Sequence, residues 1–384
     1  MHFLAQNFHF INISPLFIIT LSFIIGIICH TFLIPLSIIF AALVCCMLLF
    51  QHHTFLKQLT LYSFFICAGA YLHHKELRDY DNFYTLFENK KITITGIVID
   101  KNELISQYKK LTAITVAIDT VATHTSLCEL RRAGKTMLFY TKNNTTSPCG
   151  LRSASTIAVG DTVTFYEIMC KRPTNQDFQR YQIKEQIVAT IFDDSPTYTI
   201  DNHPTWSLRN WVWQQKKRLL DTLATKFSPH TFRFFSSLFL GNRACVKTSL
   251  EETNEQFKVW GISHFLARSG LHLALFLLIW HTIFSFIPIP LIYKQLIITL
   301  LSCIYFILTW TSAPFTRSFA LFIINKLCLF TKTSFHLLHY VTLVCFCFLL
   351  YSPLYLFFLD FQLSFALTFA LAWFNQLSTQ YESK

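Results

Sequence analysis

The chain has 384 residues, of which 53% are hydrophobic and 14% charged, against about 25% charged in an ordinary soluble domain. The apolar residues concentrate at 14–72 and 262–376, which excludes a wholly water-soluble protein and points to a membrane protein. The formal charge of +11 suits an anionic partner, but lipid headgroups and nucleic acid both answer that description.

The stretch before Lys57 contains neither lysine nor arginine, so it lacks the basic start of a cleavable signal peptide. A bilayer crossing needs about 20 apolar residues. Ser14–Leu33 and Pro35–Phe50 qualify, and Phe55–Leu72 is a third, weaker candidate. Lys57 lies in the first turn of the third, at the end of the loop from the second, so the positive-inside tendency places the N-terminus in the cytoplasm and residue 75 outside.

Residues 75–204 change character. Ile92 and Ile94 alternate with Thr93 and Thr95, and Ile114, Val116 and Ile118 alternate with Thr115, Ala117 and Asp119. This period of two is that of half-buried strands. Further strands are predicted over Lys135–Thr141, Asp161–Cys170 and Glu185–Phe192, with an exposed loop at Asn143–Ser147. About five short strands suit an OB-like barrel, although their spacing fits a sandwich equally well. In an oxidising compartment Cys128 and Cys170 are the expected disulfide, with three free thiols (Cys149 included) as the alternative. Most of the other cysteines lie in apolar runs and act as small hydrophobes. No CxxC pair or HExxH spacing occurs, and no nucleophile–base arrangement is visible. The expectation is therefore no metal, no cofactor and no catalytic residue.

Residues 205–240 read as an amphipathic helix. Trp206, Trp211 and Trp213 precede the basic run Lys216-Lys217-Arg218, and Leu219, Leu220, Leu223 and Phe227 follow. Such a helix suits either a membrane surface or a stacking and phosphate-binding surface for single-stranded nucleic acid. Residues 241–384 then supply five predicted spans, at about 269–287, 291–309, 314–330, 335–350 and 353–374, with Lys294, Lys326 and Lys332 on the cytoplasmic side. The fold class expected is a polytopic α-helical membrane protein of about eight spans with an inserted all-β, OB-like domain. Its parts are 1–74, 75–204, 205–240 and 241–384.

Polar groups interrupt the second membrane group in three places. Gly241-Asn242-Arg243 is followed by a stretch holding Gly261, His264, Arg268, Ser269, Gly270 and His272. On a continuous helix His264, Arg268 and His272 share a face. They either hydrogen-bond within the bundle or line a polar passage. Pro314 and Arg317 open a later span, and Asp360, Gln362 and Ser364 are predicted to lie inside the last one. Gln362 and Ser364 suit helix–helix hydrogen bonds, and Asp360 is a candidate partner for Arg317 or Arg268.

At these positions the chain resembles the ComEC family, the inner-membrane channel proteins of DNA uptake in natural competence. The stretch GISHFLARSGLH at 261–272, preceded by Leu240-Gly241-Asn242-Arg243, is similar to the opening of the family's competence domain. SAPFTRSFA at 312–320 and FQLSF at 361–365 resemble later membrane blocks. Val159-Gly160-Asp161 with Lys171-Arg172-Pro173, Asp177-Phe178 and Tyr181 resembles the end of its soluble domain. Arg268 and Asn242 depart from the usual pattern. The family typically continues beyond FQLSF with more spans and often a metallo-β-lactamase-like domain, so either a split or truncated product or a reduced relative is expected here.

The resemblance implies passage of single-stranded DNA. Arg243, His264, Arg268, Ser269, His272, Arg317, Gln362 and Ser364 would line the path, and Gly241, Gly261, Gly270, Pro314 and Asp360 would shape it. The implied partners are single-stranded DNA, membrane lipid, a cytoplasmic translocating motor, a DNA receptor, a separately encoded C-terminal part and other copies of the chain. The rival expectations are a membrane scaffold whose soluble domain binds a protein or envelope polymer, and an inactive fragment.

Overall fold

The computed structural model describes residues 15–31, 53–105, 110–123, 126–128, 135–142, 157–193, 196–204, 206–241, 259, 270–310, 312–332 and 336–382. In chain order the first elements are α1 (Pro15–Thr31), α2 (His53–Phe87), β1 (Lys91–Ile105), β2 (Lys110–Thr123), β3 (Ser126–Cys128), β4 (Thr136–Lys142) and β5 (Thr162–Met169). Next come α3 (Gln176–Lys184), β6 (Ile187–Phe192), β7 (Thr197–Asn202), α4 (Leu208–Lys226), α5 (Pro229–Phe235) and a π turn (Ser236–Leu240). The last are α6 (Gly270–Ser285), α7 (Leu291–Leu308), α8 (Ala313–Thr331), α9 (Leu337–Tyr351), a 3-10 turn (Pro353–Phe357) and α10 (Leu359–Glu382). The chain divides into two compact units, residues 1–79 with 320–384, and residues 80–319.

In the first unit α9 packs on α1 and α10 around Phe23, Ile27, Val341, Val344, Leu349, Phe361 and Phe365. α1 and α2 touch through glycine. A Cβ at Gly26 would lie 2.0 Å from the Ile66 carbonyl oxygen, and one at Gly69 would lie 2.3 Å from that of Phe23. Small residues let helix backbones meet where lipid offers no hydrophobic drive for association.

α7 and α8, of 18 and 19 residues, are long and apolar enough to cross a bilayer, while α1, α6 and α9 are apolar but shorter. The predicted span Pro35–Phe50 lies outside the described residues. The 35-residue α2 contains the predicted third span but continues to Phe87, past the expected boundary at 75. Lys294 sits in the first turn of α7 and Lys326 within α8, where it is buried.

The last predicted span is broken. Pro353 starts a 3-10 turn and Phe358 is extended, so α10 begins at Leu359. Asp360 is therefore in the first turn of a helix and exposed rather than inside a span. There its negative charge complements the helix N-terminus.

The second unit holds the sheet, in the order β6-β4-β2-β1-β5-β7 with β3 on the side of β2. All neighbours are antiparallel except β4 with β6, which is parallel. The predicted alternation faces Ile92, Ile94, Ile114 and Val116 into a core completed by Met137, Val163 and the stacked pair Phe139–Phe165, whose centroids are 4.2 Å apart. Strand β7 and helix α3 are additions to the predicted set, and the amphipathic stretch 205–240 breaks after Phe227 into α4, α5 and the π turn.

The expected Cys128–Cys170 disulfide is overturned. Cys170 is a free, buried thiol, which burial pushes up to about 12. Cys128 pairs with Val121 on β2, whereas Cys170 follows β5 and bridges Glu88. Strands β2 and β1 intervene, so the two cysteines are about three strand spacings, or ~14 Å, apart, and a disulfide needs Cα atoms within about 7 Å.

The turn at Val159-Gly160-Asp161 is structural. Gly160 has φ +97°, and its N–H donates to Val98 O at 2.8 Å. The buried Asp161 carboxylate accepts from Ala158 N at 2.8 Å and meets His203 Nδ1 at 2.8 Å. Arg172 pairs with Asp81 and lies about 6 Å from the rings of Tyr80 and Tyr84 (6.0 and 5.9 Å). Tyr80 in turn donates to the buried Gln182 at 2.7 Å. Asn175 caps α3 by accepting from Asp177 N and Phe178 N. These residues fasten the end of α2 to the sheet domain.

Candidate functional site

Within the second unit, polar and aromatic side chains gather around the π turn. That turn ends at Gly241, which is left-handed with φ +76° and whose N–H donates to Ser236 O. The extra residue of a π turn frees carbonyl groups for outside donors. Tyr305 Oη donates to Phe239 O at 2.7 Å, and Trp310 N donates to Leu240 O at 2.8 Å. Ser236 and Ser237 are buried here.

His272, buried in the first turn of α6, meets the Phe239 ring edge-on at 5.8 Å and 89°. Phe276, one turn on, stacks on Tyr305 at 4.4 Å. Phe315, fully buried at the start of α8, meets the Tyr305 ring at 5.8 Å and stacks on Phe306 at 5.9 Å. Pro314 lies in the first turn of α8, its carbonyl accepts from Ser318 Oγ at 3.0 Å, and Arg317 is half-buried on the same helix. The result is an aromatic wall carrying an imidazole, a guanidinium and hydroxyls inside otherwise apolar helices.

Gly270 joins α6 to α8. A Cβ there would lie 2.2 Å from Ser318 Oγ and 3.1 Å from Ser318 Cβ. Gly270→Ala is therefore expected to destabilise the helix pair by about 1–3 kcal/mol, the usual cost of overpacking. Adding Ser318→Gly should recover most of that loss. Unfolding in mixed micelles measures both variants, and an unimpaired Gly270→Ala protein would refute the contact.

Helix α4 links this region to the sheet domain. Trp213 Nε1 donates to Lys101 O at 2.8 Å, and Lys217 lies 5.4 Å from the Trp213 ring. Lys216 Nζ donates to Thr309 O at 3.3 Å and lies 5.3 Å from the Trp310 ring. Asp100 accepts from Lys101 N and Asn102 Nδ2; burial raises its carboxyl above the usual range, against the opposing effects of the Lys101 N–H, the Lys216 charge and Asn102. Trp206, Leu208 and Trp211 at the start of α4 are exposed, beside Arg209.

Of the sequence-predicted residues, Gly241, Gly270, His272, Pro314 and Arg317 belong to this unit. Gln362 and Ser364 are on α10 of the other unit, where the exposed Gln362 donates to Leu356 O at 2.8 Å. Arg243, Gly261, His264, Arg268 and Ser269 lie outside the described residues. Sequence reasoning missed Tyr305, Thr309, Trp310 and Ser318. Trp310 and Ser318 flank or fall within the 312–320 block and could have been included with it, whereas nothing in the sequence distinguishes Tyr305 from other tyrosines in apolar runs. Among the described residues no cluster of metal-binding side chains occurs.

The chain matches no curated protein and no solved structure. The family model described as Competence protein, a membrane-associated family, matches residues 238–384, starting within the π turn. Residues 238–384 therefore match the competence membrane domain of the ComEC family.

Proposed function

We propose that the chain is a multi-pass inner-membrane component of the path by which single-stranded DNA enters the cell in natural transformation. The observation that carries this reading is the coincidence of the competence match at 238–384 with His272 and Arg317 placed inside apolar helices beside the aromatic wall. Ionisable groups in such helices are costly and mark paths for polar cargo. Arg317 and His272 meet phosphates, and the aromatic rings accept bases by stacking, which tolerates any sequence.

The sheet domain stands outside the membrane, on the side given by the Lys57 topology, as an OB-like holder of the incoming strand. In support, β1 is shared by β2 and β5, and the parallel β4–β6 pair closes a second side, as in a partly open five-stranded barrel. Trp206, Leu208 and Trp211 rest that domain on the lipid surface. The chain works without a cofactor and without catalysis of its own, alongside a motor and a receptor.

The test is uptake of labelled DNA by a transformable host carrying this chain, with protein levels checked in the membrane fraction. Arg317→Ala should reduce transformation about hundredfold, since a hydrogen bond to a charged group is worth about 3 kcal/mol and each ~1.4 kcal/mol is a factor of ten. Arg317→Lys should retain more. Undiminished transformation in Arg317→Ala and His272→Ala would sink the conduit reading.

A further inference from the structure

His30, His73 and His74 come together in the unit of residues 1–79 and 320–384, away from the site above. His30 is in the last turn of α1, and His73 and His74 are consecutive on α2. His30 Nδ1 lies 2.8 Å from His73 Nδ1, and His30 Nε2 lies 3.1 Å from His74 Nδ1. The rings meet edge-on, at 77° and 64°. His73 is 4% exposed and also packs on Phe357 of the 3-10 turn.

His30 uses opposite ring nitrogens on its two partners, so the three rings do not converge on a point that one ion could occupy. They form a hydrogen-bonded chain with His30 in the middle. A neutral imidazole has one N–H and one lone pair, so His30 donates to one neighbour and accepts from the other. One added proton also fits, because His30 as imidazolium donates to both Nδ1 atoms. A second proton does not fit. It sets N–H against N–H across 2.8 or 3.1 Å, or places two positive rings in contact where His73 is shut off from water.

We propose that the three histidines are a proton-operated clasp, holding the end of α1 to α2 while they carry at most one proton and releasing it at the second. The surroundings leave this response to the imidazoles themselves. α1 has no Asp, Glu, Lys or Arg, and its other titratable side chain is Cys29. α2 carries Lys75, Glu76, Arg78 and Asp79 in the turns just beyond, where Glu76 Oε1 accepts from Ser352 Oγ at 2.8 Å. The 3-10 turn brings Tyr355 beside Phe357, and α9 brings His339, Tyr340, Cys345, Cys347 and Tyr351. In the closed clasp, burial and the neighbouring imidazoles hold His73 at about 4, so closure weakens as the pH falls below the free imidazole value of ~6.5 and is lost further into acid.

Hydrogen–deuterium exchange on the full chain in nanodiscs tests this, compared at about pH 7.5 and about pH 5.0 after correction for the intrinsic pH dependence. Amides 27–31 and 70–76 should exchange about tenfold or more faster at the lower pH, because local opening limits exchange there. Glutamine donates and accepts but never charges, so His30→Gln should abolish the pH step. His74→Gln, at an exposed position, leaves the His30–His73 pair and should shrink the step without removing it, and helicity by circular dichroism identifies which variants are folded. Unchanged exchange in the wild-type chain, a step that survives in folded His30→Gln, or an undiminished step in folded His74→Gln would overturn the clasp.

Discussion

Gly26→Ala should separate α1 from α2 and cost about 2–4 kcal/mol, above the common range for an inserted methyl because the obstacle is backbone. The new Cβ would stand 2.0 Å from the Ile66 carbonyl oxygen, which no rotamer change can move. Gly69→Ala meets the Phe23 carbonyl oxygen at 2.3 Å and should cost a similar amount. The two losses should not add. Once either methyl has forced the helices apart the other has room, so the double variant should fall well short of the sum. Unfolding titrations in mixed micelles give the three free energies, and full additivity would mean that the helices do not share this contact.

Asp161→Ala should cost the sheet domain about 2–4 kcal/mol. The change removes the acceptor for Ala158 N–H and the carboxylate beside His203, and a buried donor stripped of its partner costs about 1–3 kcal/mol by itself. Asp161→Asn keeps one acceptor oxygen in place and should lose about half as much. For a domain of this size each kcal/mol moves the midpoint by about 3–5 °C. A melt of the full chain followed by tryptophan fluorescence should therefore shift by ten degrees or so for alanine. A shift under about 2 °C would show that the turn at 158–161 is held by other means.

What could be read from the sequence follows from what one-dimensional patterns encode. The strands at Ile92–Thr95 and Ile114–Asp119 were legible because a half-buried strand writes its two faces into alternate residues. Helix α3 was not, since nine mostly polar residues span too few turns for a helical period to stand out, and its clearest sign is the Asn175 cap. Strand β7 alternates only over Tyr198 and Ile200 and is too short to stand out. Hydropathy ran straight through Pro353–Phe374 because a 3-10 turn of apolar residues scores like a helix. Pro353 was the available warning. In the site, Gly270, His272 and Arg317 were found by their polarity or smallness in apolar runs. Tyr305 and Ser318 were not, because their importance lies in which neighbour they face. The Gly26–Gly69 contact likewise exists only once two distant segments are side by side.

The parallel β4–β6 pair carries a cost during synthesis. Thr136 pairs with Ile187, some fifty residues later in the chain, so at ~5–20 residues per second the edge of β4 waits several seconds for its neighbour. During that interval Met137, Leu138, Phe139 and Tyr140 present open backbone groups on an apolar strand, the kind of template that recruits other nascent chains. Yield of this protein on expression should therefore respond to how fast Ile187–Phe192 is delivered, as much as to how stable the finished domain is.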